Sequence, residues 1–433
     1  MIRLLYNLAW PIGLIFFLPG YIVKMVRRGG YRKNFGQRLG FYSGEVWDRS
    51  RDLRPTWIHA VSVGEVGIAL KLANELRALQ PNLRCVLTTT TTTGYGLAER
   101  LAPPWIKALY APLDFWPVMR RAFRMIDPNR IILIEAEVWP NLVTEASHRR
   151  IPIVLANARL SPRSEARFRR FKWMIGAFFR KLDLVCVSTD EEAARWRSLG
   201  IAPERIRVVG SIKYDAQEQR PASSEPRRVL EKLGIDPSRP IVFGGSTHRG
   251  EEQVVVDAFS RLRQQFPSLF LVIAPRHVER VPEVEQRLRR SGLRIVRRSS
   301  WSDAPADVEG LLLDTTGELR DWYSVATVVF IGKSLTAHGG QNPVEAINAG
   351  KPVVFGPYME NFARLAEELV ENGAALRIQT SEQLIEEWRR LLSDPALRQE
   401  IAAAARRVIQ PHNGATSRTA QLIEKTSRDG AES

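Results

Sequence analysis

The run TWIHAVSVGEVGIALKLANELRALQ, residues 56–80, decides the fold. Its opening, Thr56 to Val63, is mostly apolar with β-branched and aromatic residues, as in a strand covered on both faces of a parallel sheet. Ser62, Val63 and Gly64 interrupt it. From Glu65 onward, Val66, Ala69, Leu72, Ala73 and Leu76 recur at helical spacing. Strand, small-residue turn and helix make half of a βαβ unit, and in open α/β sheets ligands bind outside the carboxyl ends of the strands. Glu65 therefore has two readings. A carboxylate in a first turn complements the helix dipole; on a rim that Ser62 and Gly64 leave open to a substrate, it is also placed to act as a general base.

The same alternation continues along the chain. LRCVLTTT, RIILIEAE, IPIVLAN, LDLVCVS and IRVVGS read as strands separated by helix-period segments such as FWPVMRRAFRMI. After Lys213 the pattern lapses into DAQEQRPASSEPRR, a polar stretch with Pro and Ser that reads as a linker. Alternation resumes with PIVFGGSTH, LFLVIAPRH, GLRIVRRS, VEGLLLDTT, ATVVFIGKS and KPVVFGP. The expected architecture is α/β, two Rossmann-like doubly wound domains at 45–215 and 228–433, joined by a linker at 216–227. Residues 1–44 form a separate N-terminal segment.

That segment has no Asp or Glu up to Gly44. The apolar stretch Leu4–Val23 would reach about 30 Å as a helix, the thickness of a bilayer core, and Lys24, Arg27, Arg28, Arg32, Lys33 and Arg38 follow it. A membrane anchor is expected, with everything after Lys24 on the cytoplasmic side of the inner membrane. The chain's net charge of +16 over 433 residues implies an anionic partner. No nucleic-acid motif is present, so membrane lipids or a phosphorylated substrate are favoured over nucleic acid. Its two cysteines, Cys85 and Cys186, lie in apolar strand-like runs and read as buried thiols of a reducing compartment.

The second half offers a complementary set of rims. In FGGSTHRGEE, Gly244, Gly245 and Ser246 could present backbone amides to a phosphate beside His248. APRHVER ends a strand at Pro275 with Arg276 and His277, cations able to neutralise the same phosphate. DTTGEL places Thr316, Gly317 and Glu318 on a third rim. In GGQNPVEA a glycine turn through Gly340 leads into Asn342, Pro343, Val344 and Glu345 at a helix start, where Glu345 could accept from vicinal ribose hydroxyls. No Asp-x-Asp metal motif occurs, and no cofactor is implied.

Taken in order and spacing, HAVSVGE, IEAEVWPNL, ANARLSPRS, GSIKYD, STHRGEE, PRHVER, DTTGEL and GGQNPVEA resemble the 3-deoxy-D-manno-oct-2-ulosonate (Kdo) transferases, lipid A glycosyltransferases of Gram-negative bacteria. The resemblance covers essentially the whole chain. It implies a GT-B enzyme whose first domain binds the acceptor, a lipid A precursor (lipid IVA), and whose second binds the donor, CMP-Kdo, with an inverting transfer in the cleft between them. It assigns the proton acceptor to Glu65, transition-state support to Glu135 and Lys213, and CMP contacts to Pro275, Arg276, Thr316, Gly317, Glu318, Asn342, Pro343, Val344 and Glu345. Thr316 stands where some members have Met, Gln341 where His is common, and Gly332-Lys333 where Gly-Gly is frequent. An acceptor embedded in the inner membrane would account for both the anchor and the positive charge. SPRSEARFRRFKWMIGAFFRKL, residues 161–182, then reads as a basic amphipathic helix that touches lipid headgroups or packs its aromatics on the sheet.

Overall fold

The computed structural model describes residues 2–8, 10, 34–42, 54–160, 162–215, 223–303 and 307–429. The chain divides into two compact units, Met1–Asp215 with His412–Ser433, and Ala216–Pro411.

The first unit is built on seven parallel strands: β1 (Thr56–Ala60), β2 (Cys85–Thr89), β3 (Ile106–Tyr110), β4 (Arg130–Ile134), β5 (Ile153–Ala158), β6 (Leu184–Val187) and β7 (Ile206–Val208). Their order is β3-β2-β1-β4-β5-β6-β7. Alternate residues serve opposite faces, as the two-residue period of a strand requires. Trp57, Ile131, Leu133, Leu155 and Val185 pack with Phe123, Phe179 and Trp196. Ile58, Ala60, Cys85, Ile132 and Val154 pack with Leu72 and Leu76 of the helix Val63–Leu79 on the other face. Double-sided burial is why the strands read as continuous apolar runs. Cys85 and Cys186 are free and buried, which pushes both thiols up to about 12.

The second unit repeats the plan with β8 (Ile241–Thr247), β9 (Phe270–Pro275), β10 (Ile295–Arg297), β11 (Gly310–Leu312), β12 (Val328–Ile331), β13 (Val353–Phe355) and β14 (Leu376–Arg377), again parallel. Their order is β10-β11-β9-β8-β12-β13-β14. The winding reverses between β1 and β4 in the first sheet and between β8 and β12 in the second, where β11 also doubles back between β9 and β10. Such a switch point leaves a crevice at the strand carboxyl ends.

Several expectations change. The strands β3 and β14 were not foreseen; both are edge strands, and β3 carries a half-buried Lys107 in place of a fully apolar run. The expected linker 216–227 is shorter, because Glu225–Lys232 is a helix that buries Pro226, Val229 and Leu230; residues 216–222 lie outside the described set. The last helix, Ala415–Asp429, falls in the second domain by sequence but belongs to the first unit. There Ala420 and Ile423 join the core, and Glu424 pairs at 2.7 Å with Arg130, only 2% exposed.

Most of the expected anchor, Leu4–Val23, and the cations Lys24, Arg27, Arg28, Arg32 and Lys33 lie outside the described residues. No helix among the described residues is long and apolar enough to cross a membrane. The helical stretch 2–8 is tied to the first unit by polar groups. Arg3 Nε and Asn7 Nδ2 donate to Asn141 Oδ1 at 3.0 and 2.9 Å. Arg38, expected in the basic flank, is buried instead: its guanidinium donates to the Thr90 carbonyl at 2.8 Å and sits 4.3 Å from the Tyr110 ring centroid. The basic helix expected at 161–182 is two helices, Pro162–Arg170 and Lys172–Phe179. Phe178 and Phe179 enter the core, while Trp173 stays exposed.

Candidate functional site

In the first unit, the switch point brings together side chains from four loops. Glu65 lies in the first turn after β1, where Ser62 caps the helix by accepting from the Glu65 amide at 3.4 Å. The carboxylate turns back on the same loop, accepting from the Val61 amide at 2.8 Å and from the Ser62 hydroxyl at 2.7 Å. The side chain is half-buried and its two oxygens keep further acceptor capacity.

Glu135 follows β4 with a left-handed backbone, φ 62, a conformation that costs a non-glycine residue on the order of 1 kcal/mol or more and clusters at functional sites. Burial raises its pKa, with the charge of Glu65 adding to the effect and Arg159 and Lys213 opposing it. Lys213 moves the other way, its pKa lowered first by burial and further by Arg159, against the pull of Glu135. Glu65 and Lys213 thus both lie close enough to act on the Glu135 carboxyl, although the three are spread over 148 residues of sequence.

The Lys213 loop is firmly held. Asn157, also left-handed at φ 52 and buried, accepts on Oδ1 from Ser211 Oγ at 3.1 Å and from the Ile212 amide at 3.0 Å. His412 Nδ1 accepts from the Ser211 amide at 3.2 Å. Asp215 receives the amides of Gly414 and Thr416, each at 2.8 Å.

In the second unit, the sequence expectations are partly redrawn. Gly244 and Gly245 do not form a phosphate loop; both lie inside β8. They are small for packing: a Cβ on Gly245 would stand 2.2 Å from Tyr323 Oη, and one on Gly244 3.1 Å from Thr247 Cγ2. Ser246, at φ 53, and His248 lie at the end of that strand and just beyond it. Pro275 ends β9 and is buried, while Arg276 is exposed with its amide on the Thr247 carbonyl at 3.0 Å. Thr316 and Gly317 are exposed on the loop after β11. Glu318 is not a free acceptor: Arg298 Nε and Trp322 Nε1 donate to it at 3.0 and 3.1 Å.

Gly340, at φ 69, closes a turn whose amide reaches the Lys333 carbonyl at 2.7 Å. A Cβ there would meet Met359 Sδ at 2.5 Å, so only glycine fits. Asn342 Oδ1 receives the Val344 amide at 3.1 Å, and Pro343 and Val344 are buried. Glu345 is half-buried; burial raises its pKa while Arg320 and Arg276 oppose the rise, which gathers three rims around one carboxylate.

Sequence reading missed Glu137, Arg159, Arg320 and Lys333. Glu137 stands two residues past Glu135 in the quoted IEAEVWP, and burial followed by the charge of Glu65 raises it to about 7. Arg320 stood two residues past Glu318. Arg159 lies in the quoted ANARLSPRS and Lys333 stands where Gly-Gly is frequent, but no local pattern gives either a role, which each takes from the strands beside it. Among the described residues no group of His, Cys, Asp and Glu side chains could hold a metal ion.

Comparison with known proteins bears on this arrangement. Residues 33–216 match the family model for 3-deoxy-D-manno-octulosonic-acid transferase (kdotransferase), and residues 306–408 match that for glycosyl transferases group 1. The chain is 30% identical to the 3-deoxy-D-manno-octulosonic acid transferase of Haemophilus influenzae, over 92% of each chain. It is 35% identical to the enzyme of the same name from Bordetella pertussis, over 86% of this chain and 87% of that one. Among solved structures, MurG of Acinetobacter baumannii is similar in fold, with a TM-score of 0.54 at 17% identity over 86% of this chain and 99% of that one.

Proposed function

We infer that this chain, which belongs to the 3-deoxy-D-manno-octulosonic acid (Kdo) transferase family, is a glycosyltransferase that moves Kdo from CMP-Kdo to a lipid A precursor, lipid IVA, in lipopolysaccharide core biosynthesis. The observation that carries the reading is the convergence of Glu65 and Lys213 on the buried carboxyl of Glu135 at the switch point of the first sheet. Glu65 takes the proton of an acceptor hydroxyl; the freed oxygen attacks the anomeric carbon of Kdo as the bond to phosphate breaks and CMP leaves with the electron pair. Attack opposite the leaving group inverts the anomeric centre. Lys213 and Glu135 act on charge that develops in the transition state. In the second unit Arg276 neutralises the phosphate and Glu345 accepts from the ribose, with Thr316, Gly317, Asn342, Pro343 and Val344 shaping the nucleotide pocket.

The assay is direct. With lipid IVA as acceptor, the protein releases CMP from CMP-Kdo and adds the mass of Kdo to the lipid, while UDP-sugars give no UDP; turnover of a UDP-sugar in place of CMP-Kdo would overturn the donor assignment.

The proposal extends to the membrane. The N-terminal stretch anchors the protein in the inner membrane, with both units on the cytoplasmic side. In support, Leu4, Leu5 and Leu8 are 59–65% exposed, and Trp173 is 73% exposed in a segment rich in arginine. Full-length protein should float with anionic vesicles at high salt, and protein lacking residues 1–25 should not, because the remaining basic attraction is screened. Equal flotation of both would refute the anchor.

A further inference from the structure

Apart from the residues assigned to the nucleotide, the second unit gathers side-chain nitrogens able to donate to an anion from three loops. His248 follows β8, His277 follows β9 and Lys333 follows β12, so all three sit around the carboxyl ends of the two strands that flank the switch point and of their neighbour β9. The two imidazoles meet edge to face, with ring centroids 5.5 Å apart. Lys333 has a left-handed backbone, φ 57, and its amide is pinned by Glu251 at 2.7 Å, which fixes where its side chain starts. Its Nζ comes within 3.3 Å of the place a Cβ on Gly339 would take, so the glycine turn leaves the ammonium its room.

These groups lack the anions that would balance them. No carboxylate among the described residues pairs with Lys333. The nearby Glu252 is occupied by Arg280, which donates to its two oxygens at 2.8 and 3.3 Å. Burial, followed by the positive charges of Lys333, His277 and Arg280, holds the His248 imidazole below its usual pKa, with Glu252 opposing. Two buried polar atoms are also left over: His248 Nε2 and the Oγ1 of the fully buried Thr247 have no hydrogen-bond partner. Buried polar groups are nearly always satisfied, so unpaired ones beside a surplus of cations mark a place where an anionic ligand completes the network.

The identity of that anion follows from the donor's chemistry, and here the inference rests on the function proposed above. A CMP-activated sugar acid carries two anionic groups, a phosphodiester and a carboxylate. Arg276, beside Glu345 and Arg320, serves the nucleotide end. We propose that His248, His277 and Lys333 form the subsite for the carboxylate of the donor's sugar acid. The subsite would give the enzyme its preference for an acidic sugar over a neutral one, because a neutral sugar leaves the Lys333 ammonium and the imidazole donors desolvated and unpaired.

The test separates nucleotide from sugar. Full-length K333M, H248Q and H277Q are compared with wild type for CMP affinity by calorimetry and for the KM of CMP-Kdo from initial rates. Each variant should raise that KM by about 10-fold or more, the scale of a lost charge-assisted hydrogen bond, with CMP affinity unchanged. His277 is exposed, so H277Q provides an arm in which folding is not at stake. A parallel loss of CMP affinity would assign the cluster to the phosphate, and an unchanged KM would remove it from the donor site; either overturns the proposal. Failure of wild type to turn over CMP-Kdo at all would instead refute the function on which it rests.

Discussion

Glu65 and Glu251 occupy matching places in the two units, each in the first turn of the helix that follows the unit's first strand, β1 or β8. Their surroundings differ completely. The Glu65 carboxylate is half-buried and takes two donors, both from its own loop. Glu251 is fully buried and receives four backbone amides: His248 at 2.8 Å from its own loop, and Lys333, Ser334 and Leu335 at 2.7, 2.9 and 3.0 Å from the loop after β12. One acid remains available for chemistry; the other staples two loops together. A glutamate at a helix start is the same local signal in both cases. Burial and the number of backbone donors distinguish the roles, and neither is visible without the neighbouring loop.

The largest test of that contrast is the removal of each carboxylate. Glu251→Ala leaves four amides without their acceptor in a buried place, and should cost on the order of 4 kcal/mol or more in denaturant unfolding of the second unit. Glu65→Ala loses a local cap and should cost about 1 kcal/mol. Similar losses for the two variants would erase the distinction.

A smaller effect sharpens the comparison within the first unit. Burial, followed by the charge of Glu65, holds the Glu137 carboxyl at about 7 in the folded protein, above its ordinary 4.5. The unfolded carboxyl therefore gives up its proton at lower pH than the folded one. The resulting penalty is absent below the unfolded pKa, grows as pH rises, and is complete above 7. Glu137→Gln should leave stability unchanged at pH 4 and increase it at pH 8, read from unfolding midpoints at the two values. An equal effect at both would show that Glu137 is not perturbed by its site.

Much of this was legible from sequence because strands buried on both faces announce themselves as apolar runs, and the loops that follow them mark the functional edge. The unforeseen strands β3 and β14 are edge strands, where one neighbour is missing and the apolar signal weakens. The last helix was misplaced because an amphipathic pattern shows that a face is buried, not which sheet buries it; the Arg130–Glu424 pair that decides the matter joins residues 294 apart. Gly244 and Gly245 read as a phosphate loop because glycine serves both open turns and close packing, and here Thr247 and Val255 at the first and the Tyr323 ring at the second require close packing. Arg38 looked like part of a basic flank, but cation–π contact and a carbonyl partner draw it inward.

The central claim is that Glu65 is the base of a Kdo transfer, and Glu65→Gln tests it most directly because it keeps the side chain's shape and one acceptor while removing its basicity. Initial rates of CMP release from CMP-Kdo with lipid IVA should fall by about 10² or more relative to wild type, with CMP affinity and melting temperature unchanged. A folded Glu65→Gln protein that turns over near the wild-type rate would contradict the account.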